Sequence, residues 1–239
     1  MEIRFDPTDL ARFLLRIVAV LMAINCVVLV VYFMFDGHSL FGTGDFFDFG
    51  VESNIPTFYS AVAILLASIQ LALIARARKG MQGGQRGYWI ALSLIFLFLA
   101  LDEATAIHEE IGDYFERYIE ATGYLYFMWV VPYGVAVIVI GLAFLKFVFS
   151  LPVETRNRFI VAGAIFLMGA VGLEMPGAKI AEIYGTTTIS YTVLYTFEEL
   201  LEMLGIVLFN YALASYFVKE HGTLRLVLES DSTGATEAE

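Results

Sequence analysis

The chain has 239 residues, 59% of them hydrophobic, with a mean hydropathy of +0.75 and only 16% charged. That composition excludes an ordinary soluble domain and points to a polytopic membrane protein. A formal net charge of −11 argues against nucleic acid as a partner, and one cysteine, Cys26, can build neither a disulfide framework nor a cysteine-based zinc site.

Six segments are long and apolar enough to cross roughly 30 Å of hydrocarbon. They lie at about 12–35, 56–76, 88–113, 125–149, 159–181 and 191–217. The first is longer than the h-region of a cleavable signal and is expected to stay as a helix. Asp36-Gly37 closes it. The loop at 36–55 carries Asp36, Asp45, Asp48 and Glu52 with no Lys or Arg, interleaved with Phe41, Phe46, Phe47, Phe49 and several glycines. Such a loop reads either as an aromatic cover at the interface or as an acidic mouth that gathers cations. Asn54-Ile55-Pro56 opens the second span, with Pro in the first turn, where its missing N–H costs nothing. Arg76 to Gly87 is a basic, glycine-rich loop, and Gly123 and Ser150-Leu151-Pro152 mark later breaks. The expected fold is all-α: a six-helix membrane bundle over 1–219 and a polar tail over 220–239. Three spans followed by three would be related by inverted topology, as in several transporter folds.

The basic residues orient this bundle. Arg4, Arg12, Arg16, Arg76, Arg78, Lys79, Arg86, Lys146, Arg156, Arg158, Lys219 and Arg225 fall at one set of helix ends. Only Arg117 and Lys179 fall at the other. Twelve against two predicts cytoplasmic N- and C-termini in a bacterial inner membrane.

Against that frame, Asp102, Glu103, His108, Glu109, Glu174, Glu198, Glu199 and Glu202 fall inside apolar spans, almost without basic partners. Carboxylates there are costly and mark function. Asp102 lies roughly 20 Å along the third span and His108 and Glu109 roughly 28–30 Å; Glu174 lies roughly 22 Å along the fifth. Glu198 and Glu202 lie roughly 10 and 16 Å into the sixth from the other side, so all share the outer half of the bilayer. Glu198, Glu199 and Glu202 can project into one arc, with Tyr195 a turn outward. On an unbroken third helix Asp102, Thr105 and Glu109 share a face, Glu103 sits a quarter turn away and His108 points elsewhere. One ion cannot collect all of them, so either some stand behind the ligands or the helix distorts. Pro176-Gly177, just after Glu174, predicts a helix break that frees backbone carbonyls beside that acid.

Carboxylates with one imidazole suit hard or borderline divalent ions: Fe, Mn or Zn first, Ca or Mg next. The expected ligands are Asp102, Glu109, Glu174, Glu198, Glu202 and His108, with Glu103, Glu199, Thr105 and Tyr195 around them. Di-iron bundles use a Glu-x-x-His pair on each of two helices, and this chain has none. The chemistry admits an enzyme acting on a lipid or other apolar substrate. It equally admits a proton- or cation-coupled transporter that uses the same acids. A third reading is a non-catalytic subunit of a larger membrane complex. The bilayer is the one partner the composition implies; a membrane complex or further copies of the chain are open.

Three pieces carry a resemblance: Asn54-Ile55-Pro56-Thr57 with Tyr59-Ser60, Leu101-Asp102-Glu103-Ala104 through Ile107-His108-Glu109, and Glu198-Glu199-Leu200-Leu201-Glu202-Met203-Leu204-Gly205. With them the chain resembles a group of uncharacterised bacterial multipass membrane proteins. The resemblance covers most of the spans. It implies that the acids belong together and supplies no activity.

Overall fold

The computed structural model describes residues 6–35, 44–79 and 85–222. The expectations for Arg4, for Asp36 to Gly42, for the glycine-rich stretch at 80–84 and for the tail beyond 222 lie outside the described residues. Helix α1 spans Pro7–Met34, α2 Ile55–Ala77, α3 Arg86–Thr105, α4 Ile107–Glu116 and α5 Val130–Ser150. Helix α6 spans Val153–Leu167 and passes through a π-helical stretch, Met168–Leu173, into α7, Glu174–Tyr184; α8 spans Ile189–His221. Among the described residues, six helical segments are long and apolar enough to cross a membrane, with α6 to α7 counting as one.

Local chemistry sets several ends. Asp6 caps α1 by accepting from the Thr8 N–H at 2.7 Å, with Pro7 following. Asn54 caps α2 in the same way through the Thr57 N–H at 3.1 Å, with Pro56 in the first turn as expected. Thr188 caps α8.

Helices α2 and α8 form the centre. Their apolar windows are 56% and 61% buried, against 11–17% for the other spans, whose outer faces match a lipid solvent rather than a protein core. Helix α3 packs on α2, and α1 and α6 pack on α8. Two glycines bring the fifth span into backbone contact with α8. A Cβ on Gly205 would lie 2.7 Å from the Phe166 nitrogen, and one on Gly169 would lie 2.6 Å from the Glu198 carbonyl oxygen. Small residues at such crossings are how membrane helices approach closely without a hydrophobic driving force.

The two ends of the bundle differ in chemistry. At one end Trp89 is fully buried, stacked on Tyr216 and edge-on to Phe147 and Phe159. Around it, Arg78 bonds the Tyr216 hydroxyl and Gln85, and Glu154 is held by Lys219 and Arg158. The opposite end holds the acids. Between them the core is closed by Leu71, Met203, Val207 and Leu213, each with no exposed surface, and by Phe96 stacked on Phe209 at 4.6 Å.

The third span is not one helix, contrary to the continuous 88–113 expected. It stops at Thr105, and Ala106 takes the left-handed conformation (φ 51°, ψ 39°) before α4 starts. The fifth span breaks on the other side of Glu174 from that expected. Pro176 sits in the first turn of α7 and donates nothing back; the helix upstream widens into the π stretch, and the Glu174 N–H bonds the Val171 carbonyl. The fourth span starts at Val130, because Gly123–Leu125 form a separate 3₁₀ turn.

Candidate metal centre

The acidic end encloses a cavity of about 410 Å³. Five of the six spans line it, together with the loop before α2 and helix α4. All eight ionisable residues expected to cluster line it, and no lysine or arginine among the described residues does. Lys179, the nearest basic residue in sequence to Glu174, instead lies over the Tyr124 ring at 4.8 Å.

The break at Ala106 decides the geometry on α3 and α4. Past a left-handed residue, α4 no longer continues the faces of α3. His108 therefore swings to Asp102 rather than away from it. Its backbone N–H donates to Asp102 Oδ1 at 2.8 Å, and its Nδ1 lies 3.4 Å from Asp102 Oδ2. The Tyr133 hydroxyl donates to the same Oδ1 at 2.8 Å. Asp102 is thus buried and engaged by protein on both oxygens. It positions the imidazole, with the ring seated edge-on against Trp129 and Tyr133. Thr105, expected beside Asp102 and Glu109, is turned out: it is exposed and its hydroxyl donates to the Leu101 carbonyl at 2.6 Å.

The free side of His108 meets a residue that sequence reasoning left in the loop. Glu52 Oε1 lies 3.8 Å from His108 Nε2. Glu52, His108 and Glu109 each offer one ligand atom, and these atoms all lie within 4.8 Å of one another. Such a group could hold a metal ion. Glu109 is exposed toward the mouth, while Glu52 Oε2 is buried and has no hydrogen-bond partner. A buried carboxylate oxygen without a donor is costly unless something positive sits nearby.

The loop is drawn in by a set of specific contacts. Phe49 is buried, and its N–H donates to the side-chain oxygen of Asn25 on α1 at 3.0 Å. The Tyr195 hydroxyl donates to Asp48 Oδ1 at 2.9 Å. Gly50 packs flat on the Tyr195 ring; a Cβ there would lie 2.7 Å from it. Asn54 Nδ2 donates to the carbonyls of Asp45 and Asp48. Ser53 takes φ 59° to turn the chain into α2. Tyr195 therefore serves the loop that brings Glu52 in. The acidic composition of 36–55 was the only signal for Glu52 in the sequence; its arrival in the cavity depends on Asn25, 27 residues away in the first span.

The remaining acids sit deeper. Glu174 accepts from Trp129 Nε1 at 3.0 Å, and its carboxyl group contacts that of Glu198. Glu198 is buried. Glu103, Glu199 and Glu202 line the same cavity from α3 and α8. The common arc expected for Glu198, Glu199 and Glu202 is seen, since all three face this space.

Two groups outside the spans have shifted acidities. Burial chiefly raises the Glu52 carboxyl above its ordinary value; Glu109, Asp102 and Glu174 add to the rise and His108 opposes it. Burial alone would lower His108, but the Asp102 hydrogen bond and charge, with Glu52 and Glu103, outweigh it and hold the imidazole above its ordinary value. The site therefore favours positive charge at its mouth.

No curated protein and no solved structure matches the chain. A family model described as a domain of unknown function, DUF8692, matches residues 14–216. That match runs from the first span into the last turns of the sixth, so the chain belongs to the DUF8692 family.

Proposed function

We propose that this protein is a multipass membrane protein that binds a divalent cation in its acidic cavity, with Glu52, His108 Nε2 and Glu109 as ligands at the mouth. The observation that carries the reading is their convergence within 4.8 Å, next to an unpartnered buried oxygen of Glu52 and with no basic residue lining the cavity. Asp102 would act through His108: a carboxylate on Nδ1 fixes the ring and makes the other nitrogen a better ligand. This narrows the ligand set expected from sequence. Asp102 supports rather than binds, and Glu174 and Glu198 engage each other and Trp129. Glu103, Glu199 and Glu202 remain as deeper carboxylates that could hold a second ion. One imidazole among oxygens fits Fe(II), Mn or Zn, and Mg or Ca with fewer of these groups engaged.

With the basic end cytoplasmic, the cavity opens outward from a bacterial inner membrane. We read it as one-sided, suited to metal-dependent chemistry on a lipid or other apolar substrate rather than to alternating access. The polar groups deeper in the bundle are consumed in pairs: Ser68 with Ser93, and Gln70 with Asn210, which also bonds the Ala63 carbonyl. They join helices, so these described side chains form no string of open acceptors below Glu202.

The test is metal analysis of the full chain purified without chelator, then reloaded with Mn(II), for wild type, Glu52→Gln and His108→Gln. Bound metal in the wild type with at least a tenfold weaker Mn(II) affinity in both variants is expected. Wild-type protein that is metal-free, takes up no Mn(II), Zn(II) or Fe(II) and is unmoved by chelator would leave protonated acids as the better account. Cation flux in proteoliposomes that disappears in Glu202→Gln would replace the one-sided reading with transport.

A further inference from the structure

A second cavity, of about 250 Å³, opens between α2 and α3 at the basic end of the bundle. Its lining is divided. Ala72, Ala75, Ile90 and Leu94 make an apolar wall on the span side, and Arg76, Lys79 and Arg86 stand at the helix ends. No acidic residue lines it. Arg78, in the same turn as Arg76 and Lys79, is spent on Gln85, Tyr216 and Glu220 and takes no part. Arg76, Lys79 and Arg86, by contrast, have no acidic partner among the described residues; Glu220 is taken up by Arg78, and Glu154 by Arg158 and Lys219. The start of α3 adds to the positive field. Its N-cap residue, Gln85, makes no capping bond, because its side chain is committed to Arg78 and Ser150.

We propose that this cavity is a binding site for the headgroup of an anionic phospholipid, unconnected to the metal centre. Three cations converge on a space that is apolar on its membrane side and opens where the spans end. That pattern complements a phosphodiester with acyl chains running down the α2–α3 groove. A free anion would satisfy the cations and leave the apolar wall unused. A neutral lipid would use the wall and leave the cations uncompensated. The proposal thus commits to a lipid that carries net negative charge in the leaflet at the basic end.

The experiment is native mass spectrometry of the full-length protein delipidated in detergent, titrated with phosphatidylglycerol or with phosphatidylcholine of the same chains. One bound phosphatidylglycerol is expected, on the order of tenfold tighter than phosphatidylcholine. Arg76→Gln/Lys79→Gln/Arg86→Gln should abolish that preference. Arg16→Gln/Lys146→Gln/Arg156→Gln removes as many charges from the same end away from the cavity and should keep it. The triple cavity variant is compared only as a monodisperse species; if it does not fold, the single variants Arg76→Gln and Arg86→Gln are used and should each lose part of the preference. Equal loss in the control set would reduce the effect to net charge and overturn the site. So would an unchanged preference in the cavity variants. Displacement of the lipid by millimolar inorganic phosphate would make it a free-anion site and overturn the lipid assignment.

Discussion

The Gly169 crossing allows a sharp test of how the fifth span is held against the acids of α8. An added Cβ at Gly169 would meet the Glu198 carbonyl oxygen at 2.6 Å, Glu202 Cγ at 2.9 Å and the Glu202 nitrogen at 3.1 Å. Two of these are backbone atoms of a central helix, so a rotamer change cannot relieve the clash. Restoring ordinary contact at 3.4 Å requires the two segments to part by about 0.8 Å along that direction. A gap of roughly 0.5–1 Å forfeits about a quarter to a half of the dispersion energy across the affected contacts. Overpacking of this kind costs about 1–3 kcal/mol. Alanine's better helix propensity returns at most about 1 kcal/mol. Gly169→Ala should therefore destabilise by about 1–2 kcal/mol, lowering the unfolding midpoint by roughly 2–8 °C. Gly163, on the adjoining helix α6, has nothing within 4 Å of the same added atom. Gly163→Ala should be neutral or stabilising by up to about 1 kcal/mol. The measurement is thermal unfolding of both variants in one detergent, with bound Mn(II) determined alongside. In Gly169→Ala a second Mn(II) ion on the deeper carboxylates should also be retained more weakly, because Glu202 moves with the helix. Identical midpoints for the two alanine variants would show that the contact is not tight and that the reasoning is wrong.

Three further outcomes are expected. Stability of the metal-free protein should fall as pH rises through neutrality. His108 is held above its ordinary pKa, so its stabilising contribution is complete below about 6.5 and is lost as pH passes its folded value, while Glu52, also raised, costs stability as pH climbs from about 4.5 to its folded value. The acidic groups facing His108 are Asp102, Glu52, Glu103, Glu109 and Glu174. Stabilisation by added Mn(II) should therefore grow over the same interval, and a flat midpoint between about pH 5 and 8 with and without metal would contradict the assignment. Ala106→Gly should raise stability by about 1 kcal/mol, since a left-handed alanine costs roughly 1–2 kcal/mol that glycine avoids; a lowered midpoint would mean the methyl group is needed there. A reporter active only in the cytoplasm, fused after Glu239, should be active, and one active only outside should work when inserted near Gly44; the reverse pattern would invert the proposed orientation.

Much of the architecture was legible because hydropathy and length decide it. Strong apolar runs between polar breaks locate six spans, and alternating helix directions put Asp102, Glu174, Glu198 and Glu202 at one end. The Asn54-Ile55-Pro56 start of α2 was legible for the same local reason that it forms. The breaks within spans were not. Leu101 to Ala106 contains neither Gly nor Pro, so nothing in it announces a left-handed residue at Ala106. That one dihedral redirects His108 onto Asp102 and turns Thr105 away. In the fifth span, Pro176 announced a defect but not its direction; its missing donor is felt by the carbonyls upstream, so the helix widens before Glu174. Glu52 was hidden for a third reason. Its position is tertiary, set by Asn25, Tyr195 and Asn54, and no window along the chain contains them together.

The loop leading to Glu52 is fastened at several points: Phe49 to Asn25, Asp48 to Tyr195, Gly50 against the Tyr195 ring and Asn54 back to Asp45 and Asp48. A rim secured in this way has already lost its conformational freedom during folding, and a visiting ligand need not supply that cost again. It also cannot wrap. A flexible acidic loop adapts its oxygens to ions of many radii, whereas a preorganised rim offers one spacing and leaves misfits underligated. Discrimination at this opening would then follow from ionic radius and preferred coordination geometry more than from charge. Loosening Asn25 or Tyr195 would broaden the range of ions accepted before it lowered the affinity for any one of them.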